Sequence, residues 1–327
     1  ASPWSLTGRH RLGADSPRWW RMKLAQPPWM STFELMETGP QEHSTPYLAG
    51  RILAAIAVIG AAIALEGPLL SNEVAALRTF DAKIREVAVR SERIGRSLPT
   101  KVVVPTGAQD GGARSLVIFL HERGGDEDSH VDQELLRALD QAGADAPIVA
   151  FPRGGADSYW HDREEGAWGS YVLAEVVPRL RRRLDIPRDQ VVLAGISMGG
   201  YGAYNIARQA PRKFCAVAGH APAIWESFDR TAPGAFDDAE DFSRNDVIEE
   251  IGMGSKLDGK RAWIDVGTDD PFAEANRELL DSLDAVDVRS SRRLEWPGGH
   301  ETSYWTGNWQ PYVNFYARAL KECAGGG

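Results

Sequence analysis

Gln190-Val191-Val192-Leu193-Ala194-Gly195-Ile196-Ser197-Met198-Gly199-Gly200 is the stretch that decides how this chain folds. The apolar run before Gly195 reads as a buried strand. After Gly200, Tyr201-Gly202-Ala203-Tyr204-Asn205-Ile206-Ala207-Arg208 carries small and apolar residues at helical spacing. A G-x-S-x-G turn between a strand and a helix is the setting of a nucleophile elbow, which lifts a serine hydroxyl above the sheet edge. Glycines flank the serine because the backbone is strained there. A Cβ two residues to either side would strike the neighbouring strand and helix. Ser197 is the candidate nucleophile, against the plainer reading of a tight strand-to-helix connection.

A serine nucleophile needs a base, and the base needs a carboxylate to orient it. With this elbow they follow in the order serine, acid, histidine. Two histidines lie downstream of Ser197. His220 closes the strand-like Phe214-Cys215-Ala216-Val217-Ala218-Gly219, one strand too early for the base, and reads as a pocket residue or strand cap. His300 ends Glu295-Trp296-Pro297-Gly298-Gly299-His300, a strand and a glycine-rich turn that can swing an imidazole over the sheet edge. The acid candidates follow the apolar strand Arg261-Ala262-Trp263-Ile264-Asp265-Val266. Pro271 suits a first helical position, which leaves Asp270 at the cap, with Asp269 second. Capping alone is the plain alternative for Asp270. Ser115-Leu116-Val117-Ile118-Phe119-Leu120 reads as a central parallel strand. The loop His121-Glu122-Arg123-Gly124-Gly125 after it can offer the Arg123 amide, which with the Met198 amide makes a candidate oxyanion hole.

The elements alternate around this centre. An opening hairpin is expected over 87–104. Strands are expected near 115–121, 147–151, 190–195, 214–219, 261–266 and 290–296, and helices near 129–142, 167–184, 198–209, 272–284 and 309–322. That is a doubly wound, mostly parallel α/β sheet. The insert 221–258 stands next to the active site as a lid or specificity wall, with Trp225, Phe228 and Phe236 facing an acyl chain. The alternative is that these aromatics only pack it down. Tyr159, Trp160 and His161 lie on the nucleophile's sheet edge.

Together these segments resemble the esterase family of α/β-hydrolases, which includes esterase D (S-formylglutathione hydrolase), feruloyl esterases and secreted mycolyltransferases. The resemblance runs from about Val89 to Leu320. It includes Ser91-Glu92-Arg93-Ile94-Gly95-Arg96, Leu120-His121, Ser158-Tyr159-Trp160-His161-Asp162 and the elbow through Ala203. It continues in Gly267-Thr268-Asp269-Asp270-Pro271-Phe272 and in Pro297-Gly298-Gly299-His300 with Tyr304-Trp305. It implies an α/β-hydrolase fold with the triad on Ser197, Asp270 and His300, and a pocket drawing on His121, Tyr159, Trp160, His220 and Trp225. The family's loop is usually His-Gly-x-Gly; here Glu122 replaces the first glycine, which leaves the loop's shape open. The implied activity is hydrolysis of a small-molecule or polymer-borne carboxylic ester through an acyl-enzyme, with no cofactor. An acyltransferase would use the same residues and pass the acyl group to an alcohol. A peptidase or thioesterase would differ in the leaving group, and a binding protein would keep the fold alone.

Composition sets limits. Among 327 residues the net charge is −9, and the first 51 residues hold six Lys/Arg against four Asp/Glu, so the remainder is more acidic still. That argues against a nucleic-acid partner, and the basic run Arg179, Arg181, Arg182, Arg183 is too short to reverse it. Eleven tryptophans suit aromatic pocket walls or packing. Two cysteines give no disulfide framework; Cys215 reads as a small buried hydrophobe and Cys323 lies in a glycine-ended tail. Asp126, Asp128, His130, His161 and Asp162 read as helix caps rather than metal ligands. Residues 1–51 form an irregular extension. Within 52–70, the apolar run 52–65 is short for a membrane span but matches a signal-peptide core, with a membrane anchor or an ordinary packed helix as the alternatives. The catalytic domain then occupies 71–327, opening with a short helix expected over 71–89. The protein is expected outside the cytoplasm, secreted or anchored.

Overall fold

The structure, a computed structural model, describes residues 82–325 apart from 109–113, 254–256, 258, 287 and 291–293. These residues belong to one compact unit, Leu69–Gly327. The extension 1–51, the segment 52–70 and the start of the expected helix at 71–81 lie outside the described residues.

The chain opens with β1 (Lys83–Glu86), β2 (Val89–Ser91), β3 (Arg96–Leu98) and β4 (Thr100–Val104). β2 and β3 form the expected hairpin. β1 corrects the helix expected over 71–89: Lys83–Glu86 pairs antiparallel with β4. All four residues are exposed, so no apolar period survives there, and backbone pairing to a partner decides. Its charges suit a sheet edge that must not recruit another strand.

The core strands follow as β5 (Leu116–Leu120), β6 (Ile148–Pro152), β9 (Val191–Ile196), β10 (Ala216–His220) and β11 (Arg261–Gly267). A short hairpin of β7 (Asp162–Arg163) and β8 (Gly166–Ala167) stands apart. The sheet order is β1-β4-β6-β5-β9-β10-β11-β12, where β12 is Arg289–Ser290. β13 (Leu294–Trp296) pairs with β11 beyond β12, on the same side and also parallel. The single strand expected over 290–296 is thus two short pieces. Within this sheet, among the described residues, only the pairs β1–β4 and β4–β6 are antiparallel.

Both sheet faces are apolar, which is what covered parallel strands require. Leu116, Ile118 and Leu120 enter one core layer, and Val117 and Phe119 enter the other. The first layer packs against a helix that runs as α2 (Trp168–Tyr171), a π-helical stretch Val172–Val176 and α3 (Val177–Leu184). It also receives α4 (Met198–Gln209) and α7 (Ala273–Ala285). The second receives α1 (Gln133–Ala142) and α9 (Trp309–Gly325). In the insert, α5 (Ala239–Asn245) and α6 (Val247–Gly252) are capped by Asp238 and Asp246. α8 (Thr302–Gly307) follows the histidine turn.

The cysteines are a correction. Cys215 and Cys323 form a disulfide across 108 residues. The expected tail is helical as far as Gly325, so α9 carries Cys323 back beside the amino end of β10.

Candidate active site

The elbow forms as a strained joint. Ser197 sits at φ 52°, ψ −116°, a left-handed conformation costing about 1–3 kcal/mol that its surroundings must enforce. Its N–H donates to His220 O at 3.0 Å, and its carbonyl accepts from Tyr201 N and Ala223 N, each at 3.0 Å. The flanking glycines are sterically required. A Cβ on Gly199 would fall on the Leu120 carbonyl, and one on Gly195 on the Gly199 carbonyl.

Three side chains from three connections meet here. Ser197 Oγ lies 2.7 Å from His300 Nε2. His300 Nδ1 lies 2.8 Å from Asp270 Oδ2. The other Asp270 oxygen accepts from Phe272 N at 2.8 Å, so the carboxylate both braces its own turn and faces the imidazole. Asp270's side chain is fully buried, and that of His300 is 20% exposed. With the carboxylate accepting from Nδ1–H, Nε2 is left with its lone pair toward the serine hydroxyl. Asp269 is exposed; its backbone N–H, not its carboxylate, holds Gly298 O at 2.9 Å. Thr268 N also donates to Trp296 O at 2.9 Å, so the acid turn and the histidine turn are stapled backbone to backbone. The rings of Phe272 and Trp305 flank the imidazole edge-on at 5.0 and 5.2 Å.

β5 pairs with β9, Leu120 opposite Gly195, which sets the loop after β5 beside the elbow. His121 Nδ1 donates to Glu122 O at 2.8 Å, and its Nε2 accepts from Gly154 N at 3.0 Å. Burial holds the His121 pKa below its ordinary value, in keeping with a neutral ring. Gly124 N donates to Ala156 O at 2.6 Å and Gly125 N to Glu122 O at 3.1 Å. Glu122, standing where the family has glycine, turns its carboxylate to His130 Nε2. Burial pushes its pKa up, but the His130 hydrogen bond and charge outweigh that and the net shift is downward. Among the described residues, neither the Arg123 nor the Met198 N–H has a protein acceptor.

The expected pocket residues divide. Tyr159 and Trp225 are in ring contact at 5.0 Å, and Trp225 reaches Phe272 at 5.6 Å, which leads to His300. Burial pushes the Tyr159 hydroxyl up to about 12. His121, Trp160 and His220 are turned inward. His121 is buried with both nitrogens engaged. Trp160 is fully buried, donates to His121 O at 3.1 Å, and sits where a Cβ on Gly202 would strike it. His220 is fully buried, with Nδ1 2.6 Å from Asp265 and Nε2 on the Tyr316 hydroxyl. In the insert, Phe236 is buried among Tyr159, His161, Tyr201 and Phe242. Phe228 packs on Phe242.

The acids and histidines read as caps stay dispersed. Asp126 binds Ser129, His130 binds Glu122, His161 binds Asp241 and Asp162 binds Ser170. Among the described residues no group of three or more His, Cys, Asp or Glu is placed to hold a metal. What sequence reasoning missed is Asp265. Fully buried, it accepts from His220, Trp263, Tyr304 and Tyr312 at 2.6–3.0 Å. A carboxylate inside an apolar strand was the available signal, since a buried charge must be hydrogen-bonded.

Residues 91–314 match the model of the protein family described as "Putative esterase". The chain belongs to this esterase family. The iron(III) salmochelin esterase of Escherichia coli O6:H1 is 30% identical over 142 residues, 42% of this chain; the match spans about a third of that relative's length, 34%. Among solved structures, a ferulic acid esterase superposes with TM-score 0.64 at 18% identity, covering 73% of this chain and 98% of that one. An S-formylglutathione hydrolase from Agrobacterium tumefaciens gives 0.61 at 18% identity, covering 74% and 97%. The fold of this esterase-family chain is the α/β-hydrolase fold, and its family membership supports ester hydrolysis. Among the described residues, no helix is long and apolar enough to cross a membrane.

Proposed function

We propose that the chain hydrolyses carboxylic esters through an acyl-enzyme on Ser197, with Asp270 and His300 completing a triad. The observation that carries this reading is the continuous chain of hydrogen bonds, 2.7 Å from Ser197 Oγ to His300 Nε2 and 2.8 Å from His300 Nδ1 to Asp270 Oδ2. As Ser197 Oγ attacks the ester carbonyl, His300 Nε2 takes its proton and Asp270 stabilises the imidazolium. The Met198 and Arg123 amides, each free of a protein acceptor among the described residues, donate to the oxyanion. Collapse breaks the bond to the alkoxy oxygen, which leaves as the alcohol with the proton from His300. Water activated by the same imidazole then attacks the acyl-Ser197 carbonyl, releasing the acid and restoring the serine. No cofactor enters any step.

Ser197→Ala should lower p-nitrophenyl acetate turnover by about 10⁴-fold or more at an unchanged melting temperature. A fluorophosphonate should add its mass to the peptide holding Ser197 in the parent and not in the variant. Near-normal turnover in the folded variant would refute the serine mechanism. An added alcohol separates hydrolysis from acyl transfer, which would yield the new ester in place of the free acid.

The disulfide supports a site of action outside the reducing cytoplasm, since such bonds persist in oxidising compartments. With it goes the reading of 52–65 as an export signal or anchor, and of the partner as a small-molecule or polymer-borne ester rather than a nucleic acid.

A further inference from the structure

The basic run of α3 does not stand alone. α3 ends at Leu184 and the chain turns through 185–190 into β9; α4 ends at Gln209 and the 3₁₀ turn Pro211–Lys213 leads into β10. Between these connections lies a cleft of about 430 Å³ lined by Val177, Pro178, Arg181, Arg188, Arg212 and Lys213. Four of the six lining residues are cations and none is an acid, in a chain of net charge −9. Arg188, Arg212 and Lys213 are exposed. Arg181 is fixed in the wall by donating to the carbonyls of Ile186 and Pro187, each at 3.3 Å. Its pKa is lowered first by burial and then by the like charge of Arg188, with Asp189 opposing less.

A cation in the last turn of a helix offsets the helix dipole, and Arg181 serves α3 in that way. A dipole role calls for no gathering of Arg188, Arg212 and Lys213 from two connections beyond the helix ends. Four like charges facing a single neighbouring acid, Asp189, lower their energy by taking an anion, and charge-assisted contacts to phosphate oxygens are the strong ones. The concave shape suits a compact ligand rather than a flat bilayer.

We propose that this cleft binds a soluble ligand carrying two or more phosphate groups, its oxygens on Arg188, Arg212 and Lys213 and its uncharged part toward Val177 and Pro178. The site stands at the amino ends of β9 and β10. Ser197 follows the carboxyl end of β9, about 20 Å away along a six-residue strand.

Calorimetric titration of the full chain with inorganic tripolyphosphate at low salt tests this. Saturable binding below about 1 mM is expected, weakening as salt rises. The double variant Arg212→Gln/Lys213→Gln should bind at least about 10-fold more weakly while p-nitrophenyl acetate turnover and melting temperature stay at parent values. Arg188→Gln should weaken binding in the same way. Absence of saturation, or equal binding by parent and variants, overturns the proposal. So does co-sedimentation with phosphatidylglycerol vesicles without tripolyphosphate binding, which would make the patch a lipid-facing surface.

Discussion

Changing Asp270 to Asn keeps size and shape and removes one acceptor. The carboxylate uses both oxygens, one for Phe272 N and one for His300 Nδ1, each at 2.8 Å, in a fully buried position. An amide has a single carbonyl. If it stays on Phe272 N, the NH₂ faces His300 Nδ1, the ring proton moves to Nε2, and the base presents a donor to Ser197. If the amide turns over, its NH₂ meets the Phe272 N–H and a buried donor goes unpaired, at about 1–3 kcal/mol. Either way the imidazolium loses a charged partner whose hydrogen bond contributes about 1.5–3 kcal/mol. Together these come to about 2.5–6 kcal/mol, or roughly 10²–10⁴ in kcat/KM. Asp269→Asn should stay within about 2-fold, because its carboxylate is exposed and its structural bond is made by the backbone. Both variants are assayed with p-nitrophenyl acetate at neutral pH after their melting curves are matched to the parent. A larger loss for Asp269→Asn, or an Asp270→Asn variant within 10-fold of the parent, would refute this assignment of the acid.

Two further outcomes concern stability. Cys323→Ser, or a thiol reductant on the parent, should lower unfolding free energy in urea by about 2–4 kcal/mol, because the bond closes a long loop; a midpoint indifferent to reductant would contradict it. His121, held below its ordinary pKa of 6.5 by burial, binds a proton less readily folded than unfolded. Its contribution is therefore complete above about pH 6.5 and lost as pH falls below it. Melting temperature should drop from neutral pH toward pH 5 and do so less steeply in His121→Gln; parallel slopes would show that this ring is not the cause. The lowered carboxyls of Glu122 and Asp241 act in a separate window below their ordinary values of 4.5 and 3.8.

The sequence carried the elbow because everything that makes it is local: strand, glycines, serine and helix are adjacent, and the two glycines sit where a Cβ has no room. His300 and Asp270 were readable from chain order and from turn chemistry at the ends of two strands. Position along the chain tells which sheet edge a residue reaches, but not which way its ring turns. His121, Trp160 and His220 were accordingly read as pocket residues, and the structure engages each of them internally. Lys83–Glu86 has no apolar period and takes its form from β4. The Cys215–Cys323 bond depends on where a whole helix returns, which no local pattern records.

The stapled turns make the proposed triad a meeting of two blocks. Ser197 travels with β9 and α4, while Asp270 and His300 travel together with β11 and β13. Their alignment rests on the register of a three-residue strand, Asp265 opposite Leu294, Val266 opposite Glu295 and Gly267 opposite Trp296. A slip of one residue would carry the imidazole about 3.3 Å along the strand, farther than the whole 2.7 Å contact it makes with Ser197. With the backbone staples, that register is held by Gly267, where a Cβ would fall on Gly298 O, and by Arg277, which reaches from α7 to Glu295 at 3.1 Å.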